Sequence, residues 1–187
     1  MTGRAQLAGG EGDLGRCFEV FKASAFRLET LRAYAVPAEG EHLRAFRLGL
    51  PRPERSVRTS SWLRLIAETT AAGKSWRRVR VVGRPLSEYE CYQLIGYRES
   101  AKAGEVTRIA DRSAHPELAT LTRDFWLFDD RELFDMAYAS DGTWLGAEHV
   151  TDPAAVTRAC RARDTALHLA QPWADFVQER PELRVSA

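Results

Sequence analysis

The chain has 187 residues, of which 44% are hydrophobic and 28% charged, and a formal net charge of +1. That length and composition describe one moderately sized globular domain whose core needs neither disulfide nor metal. The balanced charge supplies no global field toward nucleic acid, and no apolar run approaches the roughly 18 residues of a membrane span, so neither partner is expected.

The first ten residues hold no apolar core of signal-peptide length, which points to a cytoplasmic location. Cys17, Cys91 and Cys160 are far apart and odd in number. They read as reduced thiols, not as a disulfide frame or a zinc site. Of the 27 basic residues only Lys22, Lys74 and Lys102 are lysine. With the many Ala and Gly residues this bias suggests a GC-rich genome, and it favours the residue that forks best onto carboxylates and phosphates.

Residues 1–13 are Gly-rich and aperiodic and read as a flexible tail, with a single domain over 14–187. Leu14, Cys17, Phe18, Phe21 and Ala25 recur at helical spacing behind Asp13 as a cap. Residues 26–30 alternate apolar and polar, as a strand does, and Tyr34, Ala35 and Val36 extend it up to Pro37. A helix follows over 39–48, broken at Gly49 and Pro51. Another starts behind Ser60 and ends before Gly73. Residues 76–82 form the clearest strand, with Trp76, Arg78, Arg80 and Val82 on one face and Arg77, Val79 and Val81 on the other. Ser87 caps the next helix, with Glu90 at the capping-box position and Gly104 past its end.

Residues 105–110 are a short strand. The apolar run Phe125, Trp126, Leu127 and Phe128, set between acids, is the firmest core element, and residues 133–138 return from it through a turn at 129–132. Asp141-Gly142 signals a second hairpin, with residues 143–146 coming back. Asp152-Pro153 opens a long helix striped by Val156, Ala159, Cys160, Leu167 and Ala170. Pro172 interrupts it, and Trp173, Phe176 and Val177 form a last short helix. A strand–helix–strand unit gives neighbouring parallel strands, and the hairpins extend the same sheet. The fold class is therefore α/β, with α+β open: one domain, a mixed sheet, helices packed on it.

Four segments in order, Arg77 to Val82, Pro85 to Tyr89, Ala103 to Glu105 and Asp124 to Asp130, together with Phe26-Arg27-Leu28-Glu29, resemble a family of actinobacterial proteins of unknown function, DUF6879. The likeness runs over about residues 18–172 and implies a shared fold and no particular reaction. The strand order is also similar to half of a phospholipase D-like domain. That superfamily draws its nucleophile from a His-x-Lys-x-x-x-x-Asp motif. Counting back from Asp129 puts Thr122 and Asp124 at the His and Lys positions; counting back from Asp130 puts Arg123 and Phe125 there. Without the imidazole the covalent phospho-enzyme route is closed, so the resemblance implies a degenerate member.

The basic strand offers the best binding site. Arg78 and Arg80 share a face, and Arg108 lies on the adjoining strand, so the three are placed to clamp a phosphate, sulfate or carboxylate, with Tyr89 and Tyr92 as walls. Cross-strand ion pairing and core packing are the competing readings for the same residues. Asp124, Asp129 and Asp130 are the acids expected to pair with Arg78, Arg80 or Arg108, in preference to holding a divalent cation with Asp135. His42, His115, His149 and His168 are dispersed, and no spacing calls for a metal or other cofactor. The expectation is a non-catalytic accessory protein working through a protein partner, hetero- or homo-oligomeric. The alternative is an enzyme, or a subunit of a heteromeric one, acting on a small anionic metabolite.

Overall fold

A computed structural model describes residues 11–180 and Leu183. The expected tail lies outside the described residues as far as residue 10, and residues 11–13 already belong to the first helix, α1 (Glu11–Val20). Strand β1 (Ser24–Glu29) follows. A 3₁₀ turn (Pro37–Glu39), α2 (Gly40–Arg47) and α3 (Ser61–Ala71) lead to β2 (Ser75–Val82). Helix α4 (Glu88–Ala103) connects it to β3 (Glu105–Asp111). The strands β4 (Asp124–Phe128), β5 (Glu132–Tyr138) and β6 (Trp144–Val150) then meander outward. Helix α5 (Pro153–Leu169) returns to a two-residue strand, β7 (Gln171–Pro172), and α6 (Trp173–Gln178).

The seven strands make one mixed sheet in the order β6-β5-β4-β1-β2-β3-β7. β1, β2 and β3 are parallel neighbours, as a strand–helix–strand unit requires. β4 pairs antiparallel with the other side of β1, which places β1 near the centre of the sheet. Both sides of β1 are therefore covered, and its residues from Ala25 to Glu29 are all buried.

Local chemistry sets most boundaries. Ser60 accepts from the Leu63 N–H, Ser87 and Glu90 form a complete capping box, and Asp152 accepts from the Ala154 and Ala155 N–H groups. Each satisfies donors that a helix start leaves open. Gly104 ends α4 at φ 108°, a left-handed conformation that favours glycine. The β4–β5 turn is made by Asp129 and Asp130 at φ 51° and 57°. Aspartate is among the few non-glycine residues that tolerate this region.

Several expectations shift. α1 begins at Glu11 and stops at Val20, because the chain must turn to start β1 at Ser24. Tyr34, Ala35 and Val36 do not continue β1; only Ala35 makes an isolated bridge, to Thr143. The returning strand starts at Trp144 and runs on to Val150. Pro172 does more than interrupt a helix: with Gln171 it closes the sheet edge against β3.

The two faces of the sheet differ in kind. Toward α5, Phe26, Leu28, Val79, Val81, Phe125, Leu127 and Leu133 form an apolar layer against Ala159, Ala166 and Ala170. The opposite face starts apolar, where Trp76, Trp126, Phe128 and Phe134 meet Phe18 of α1, Phe21 just past its end, and Leu63 and Ile66 of α3. Phe18 anchors this layer, edge-on to Trp126 at 5.0 Å and to Phe128 at 5.2 Å between centroids. Buried aromatics of this size each contribute on the order of 1.5–3 kcal/mol. Two residues further along the strands the same face becomes charged, and the candidate site begins there.

Candidate functional site

Alternation carries Arg27 and Glu29 of β1, Arg78 and Arg80 of β2, Glu105 of β3 and Asp124 of β4 to one face, and all six are buried. They pair in a chain across the strands. Arg27 donates to Asp124 at 2.8 Å and lies 3.6 Å from Glu29. Arg78 pairs with Glu29 through Nη1 and with Glu105 through Nε and Nη2, at 3.0 and 2.9 Å. Tyrosines close the ends. Tyr97 donates to Glu29 at 3.0 Å, Tyr34 donates to Asp124 at 2.6 Å, and Tyr138 accepts from Arg27 at 2.9 Å. Burial acts to raise the Glu29 carboxyl, but Arg78, Arg27 and Arg80 outweigh it and hold the group at about 2.

Arg80 lies deepest, fully excluded from solvent. Its guanidinium carbon is 5.0 Å from the Tyr34 ring centroid and its Nη1 donates to the Tyr34 hydroxyl at 3.1 Å. Nε and Nη2 of Arg80 are buried without hydrogen-bond partners among the described residues.

Between this belt and α4 lies a cavity of about 160 Å³. Arg78 and Glu29 form its floor, α4 supplies Tyr92, Gln93, Gly96, Tyr97 and Ser100, and Glu39, Trp62, Arg52 and Arg55 complete the wall. Arg52 and Arg55 come from the Pro-rich segment between α2 and α3. Arg52 lies over the Tyr92 ring at 5.2 Å, and its Nε is buried without a partner. It can lie so close because Gly96 has no side chain. A Cβ there would stand 3.3 Å from Arg52 Nη2. Arg55 reaches only a loose pairing with Glu99, at 3.8 Å. Gln93 Oε1 and His42 Nδ1 are also buried without partners among the described residues. Burial, then Arg52 and Arg55, push the His42 pKa below its ordinary value. Burial raises the Glu39 carboxyl, although the Tyr89 hydroxyl donates to it at 2.6 Å. Burial and Glu39 push Tyr92 up to about 12, so it remains a neutral donor.

The residues singled out from sequence thus separate. Arg78 and Tyr92 line the cavity; Tyr89 stands behind it, bonded to Glu39. Arg80 is below it, against Tyr34. Arg108 does not join them. Its register opposite Val79 puts it on the α5 side, where its Nε donates to the Ala170 carbonyl at 3.0 Å. Ion pairing therefore accounts for Arg78, and a three-arginine clamp of Arg78, Arg80 and Arg108 does not form. The acids also find other partners than those expected. Asp124 pairs with Arg27, Asp129 accepts the backbone N–H groups of Lys22, Ala23 and Ser24, and Asp130 pairs with Arg163. Asp135 pairs with Arg123 at 3.0 Å. The positions a His-x-Lys motif would take hold exposed Thr122 and buried Asp124 in one register, exposed Arg123 and buried Phe125 in the other. Among the described residues no group of three or more His, Cys, Asp or Glu could hold a metal, and no helix is long and apolar enough to cross a membrane.

Arg52, Arg55 and Gln93 were not legible as site residues, since their convergence is tertiary. Gly96 carried a signal: glycine in the middle of a helix is unfavourable by roughly 1 kcal/mol against alanine, so its presence there points to something lying close.

The architecture defines a single mixed α/β protein with a charged, tyrosine-walled cavity between sheet and helix. The chain belongs to the DUF6879 family, a domain of unknown function whose model matches residues 12–178. No curated protein matches it.

Proposed function

We propose that this chain is a cytoplasmic, non-catalytic accessory protein that binds a small anion in the cavity between α4 and the sheet. The single observation behind this reading is Arg52. Its guanidinium is turned over Tyr92 with Nε buried and unpartnered, and Arg55 stands beside it with only a loose partner. A guanidinium is the natural fork for a carboxylate, sulfate or phosphate, and a buried unpaired donor gains more than an exposed one from receiving an anion. The cavity is small against the roughly 300–1,000 Å³ typical of drug-sized ligands, which restricts the ligand to a few heavy atoms. Arg78 contributes as a floor already neutralised by Glu29 and Glu105, setting a fixed dipole under the cavity and leaving the recognition to Arg52 and Arg55.

Calorimetric titration with acetate, propionate, sulfate and phosphate tests the reading. Binding of at least one of them, weakened tenfold or more in Arg52→Ala and Arg55→Ala, is expected. Indifference of the protein to every anion would end it.

A protein partner is the second part of the reading, supported by Leu48 and Leu50. They are 58% and 55% exposed and lie four and two residues before Arg52. Large apolar side chains held in solvent beside a ligand site suit a surface that docks another protein. Leu48→Asp with Leu50→Asp should abolish any hetero- or homo-oligomer seen by light scattering of the purified chain or its complex. An assembly unaffected by both changes would place the contact elsewhere.

A further inference from the structure

The chemistry of the cavity wall also limits which anion it takes; this step rests on the anion-binding reading above. The cationic donors available to a ligand are Arg52 and Arg55, since Arg78 is spent on Glu29 and Glu105; the Tyr92 hydroxyl and the Gln93 amide group add neutral ones. The same cavity also holds acceptors. Gln93 Oε1 is buried with no donor directed at it, and the Glu39 carboxylate is met only by the Tyr89 hydroxyl. A wall built for a phosphate dianion would be lined by donors alone, because every carboxylate or amide oxygen in it repels the ligand. A wall that holds two guanidinium groups together with an unmet amide oxygen and a carboxylate asks for a ligand of mixed character. A buried acceptor without a donor is costly, so a ligand that supplies one gains affinity over an isostere that cannot.

We infer that the ligand is a short carboxylate that also carries an N–H or O–H donor, an amino or hydroxy acid, with its carboxylate on Arg52 and Arg55 and its donor on Gln93 Oε1 and Glu39. Tyr92 and Trp62 flank the space between, so the carbon skeleton lies along aromatic surface. Glu39 in the same wall and Glu99 3.8 Å from Arg55 offset the charge of Arg52 and Arg55, which suits a ligand with no more than one net negative charge.

Four probes of similar size separate the possibilities: L-alanine and lactate carry the donor, propionate lacks it, and inorganic phosphate is the dianion. Titrated calorimetrically into the full chain, alanine or lactate should bind at least tenfold tighter than propionate, and phosphate should be weakest. Gln93→Leu should bring the donor-bearing probe down toward propionate, closing the tenfold gap between them. Arg55→Ala should weaken all carboxylates together. If propionate or phosphate binds as tightly as alanine and lactate and Arg55→Ala still removes binding, the donor requirement is wrong and the anion site stands. If none of the four binds, both readings fall. Circular dichroism of Gln93→Leu and Arg55→Ala confirms that each variant is folded. Should Gln93→Leu not fold, Gln93→Glu serves in its place: it strengthens the acceptor, so it should favour alanine and disfavour propionate, and the opposite change counts against the inference.

Discussion

Arg27 Nη2 donates to Asp124 Oδ2 at 2.8 Å across the seam between β1 and β4, and the two side chains are 4% and 2% exposed. The acid is saturated. Its other oxygen accepts from the Thr30 backbone N–H and hydroxyl, and Tyr34 donates to Oδ2 as well. The pair joins the parallel half of the sheet to the antiparallel half, so its disruption is felt by both. Removing one partner leaves a buried charge without compensation, which costs about 3–5 kcal/mol. Arg27→Ala is expected to lower the unfolding free energy by that amount in urea titrations. Arg27→Met combined with Asp124→Asn keeps an acceptor for Thr30 while removing both charges. It should be less destabilising than the sum of its single variants; a strictly additive double variant would mean that the pair is not coupled.

The Glu29 carboxyl makes the fold sensitive to acid. Its value is about 2 in the folded chain, against an ordinary 4.5. A group depressed on folding contributes stability that is complete above the unfolded value and is lost as pH falls toward the folded one. The loss therefore falls between about pH 4.5 and 2 and amounts to roughly 3 kcal/mol from this residue. Chemical denaturation at pH 7, 4.5 and 3 should show little change between the first two and a marked fall at the third. In Glu29→Gln the protein starts less stable and the acid-dependent part shrinks. An equally steep loss in that variant would assign the acid sensitivity to other carboxyls.

These buried charges show what the sequence could and could not disclose. The period-two pattern of Phe26 to Glu29 and of Trp76 to Val82 gave the strands correctly, because side-chain alternation follows from backbone geometry alone. Ser87 with Glu90, and Asp152 before Pro153, gave their helix starts because caps are local hydrogen bonds. The sheet order was legible in part: the parallel β2–β3 pair and the β4–β5–β6 hairpins were expected, but nothing in the chain marks β4 as a neighbour of β1, which depends on how the two halves of the sheet meet. Nor was the parity of Arg108, which depends on the β2–β3 register and sends it to the far face. Arg52 and Arg55 sit in an irregular segment without periodicity, so no pattern could direct them to α4. The site was half readable for the same reason: its floor is strand, its mouth is loop.

Asp129 ties the start of β1 to the β4–β5 turn. Its carboxylate accepts the Lys22, Ala23 and Ser24 N–H groups at 2.7, 2.7 and 2.9 Å. Burial works against the charge, yet these three donors hold the acid below its ordinary range. Asp129→Ala removes both acceptor oxygens, and with them all three hydrogen bonds, and leaves a non-glycine residue at positive φ. A loss of about 1–3 kcal/mol is expected. For a chain of this size that lowers the melting temperature by several degrees, at about 2–4 °C per kcal/mol. Faster amide exchange at Ala23 and Ser24 should accompany it. Asp129→Gly relieves the backbone but not the lost acceptors, so it should recover only part of the deficit.

Gly96→Ala separates stability from binding at the cavity. In a helix interior alanine is favoured over glycine by roughly 1 kcal/mol. The new methyl would meet only the end of a flexible side chain, Arg52 Nη2, at 3.3 Å. A shift of a few tenths of an ångström relieves that contact, so the fold should be as stable as the parent or gain up to about 1 kcal/mol, seen as a melting temperature about 2–4 °C higher. The guanidinium that moves is the one aimed into the cavity, and a charge-assisted bidentate contact depends on its angle. Affinity for whichever carboxylate probe the parent binds should therefore fall severalfold while the melting temperature holds or rises. If affinity is unchanged in a folded, equally stable Gly96→Ala variant, the seat of Arg52 on α4 does not orient it for a ligand, and the glycine serves packing alone.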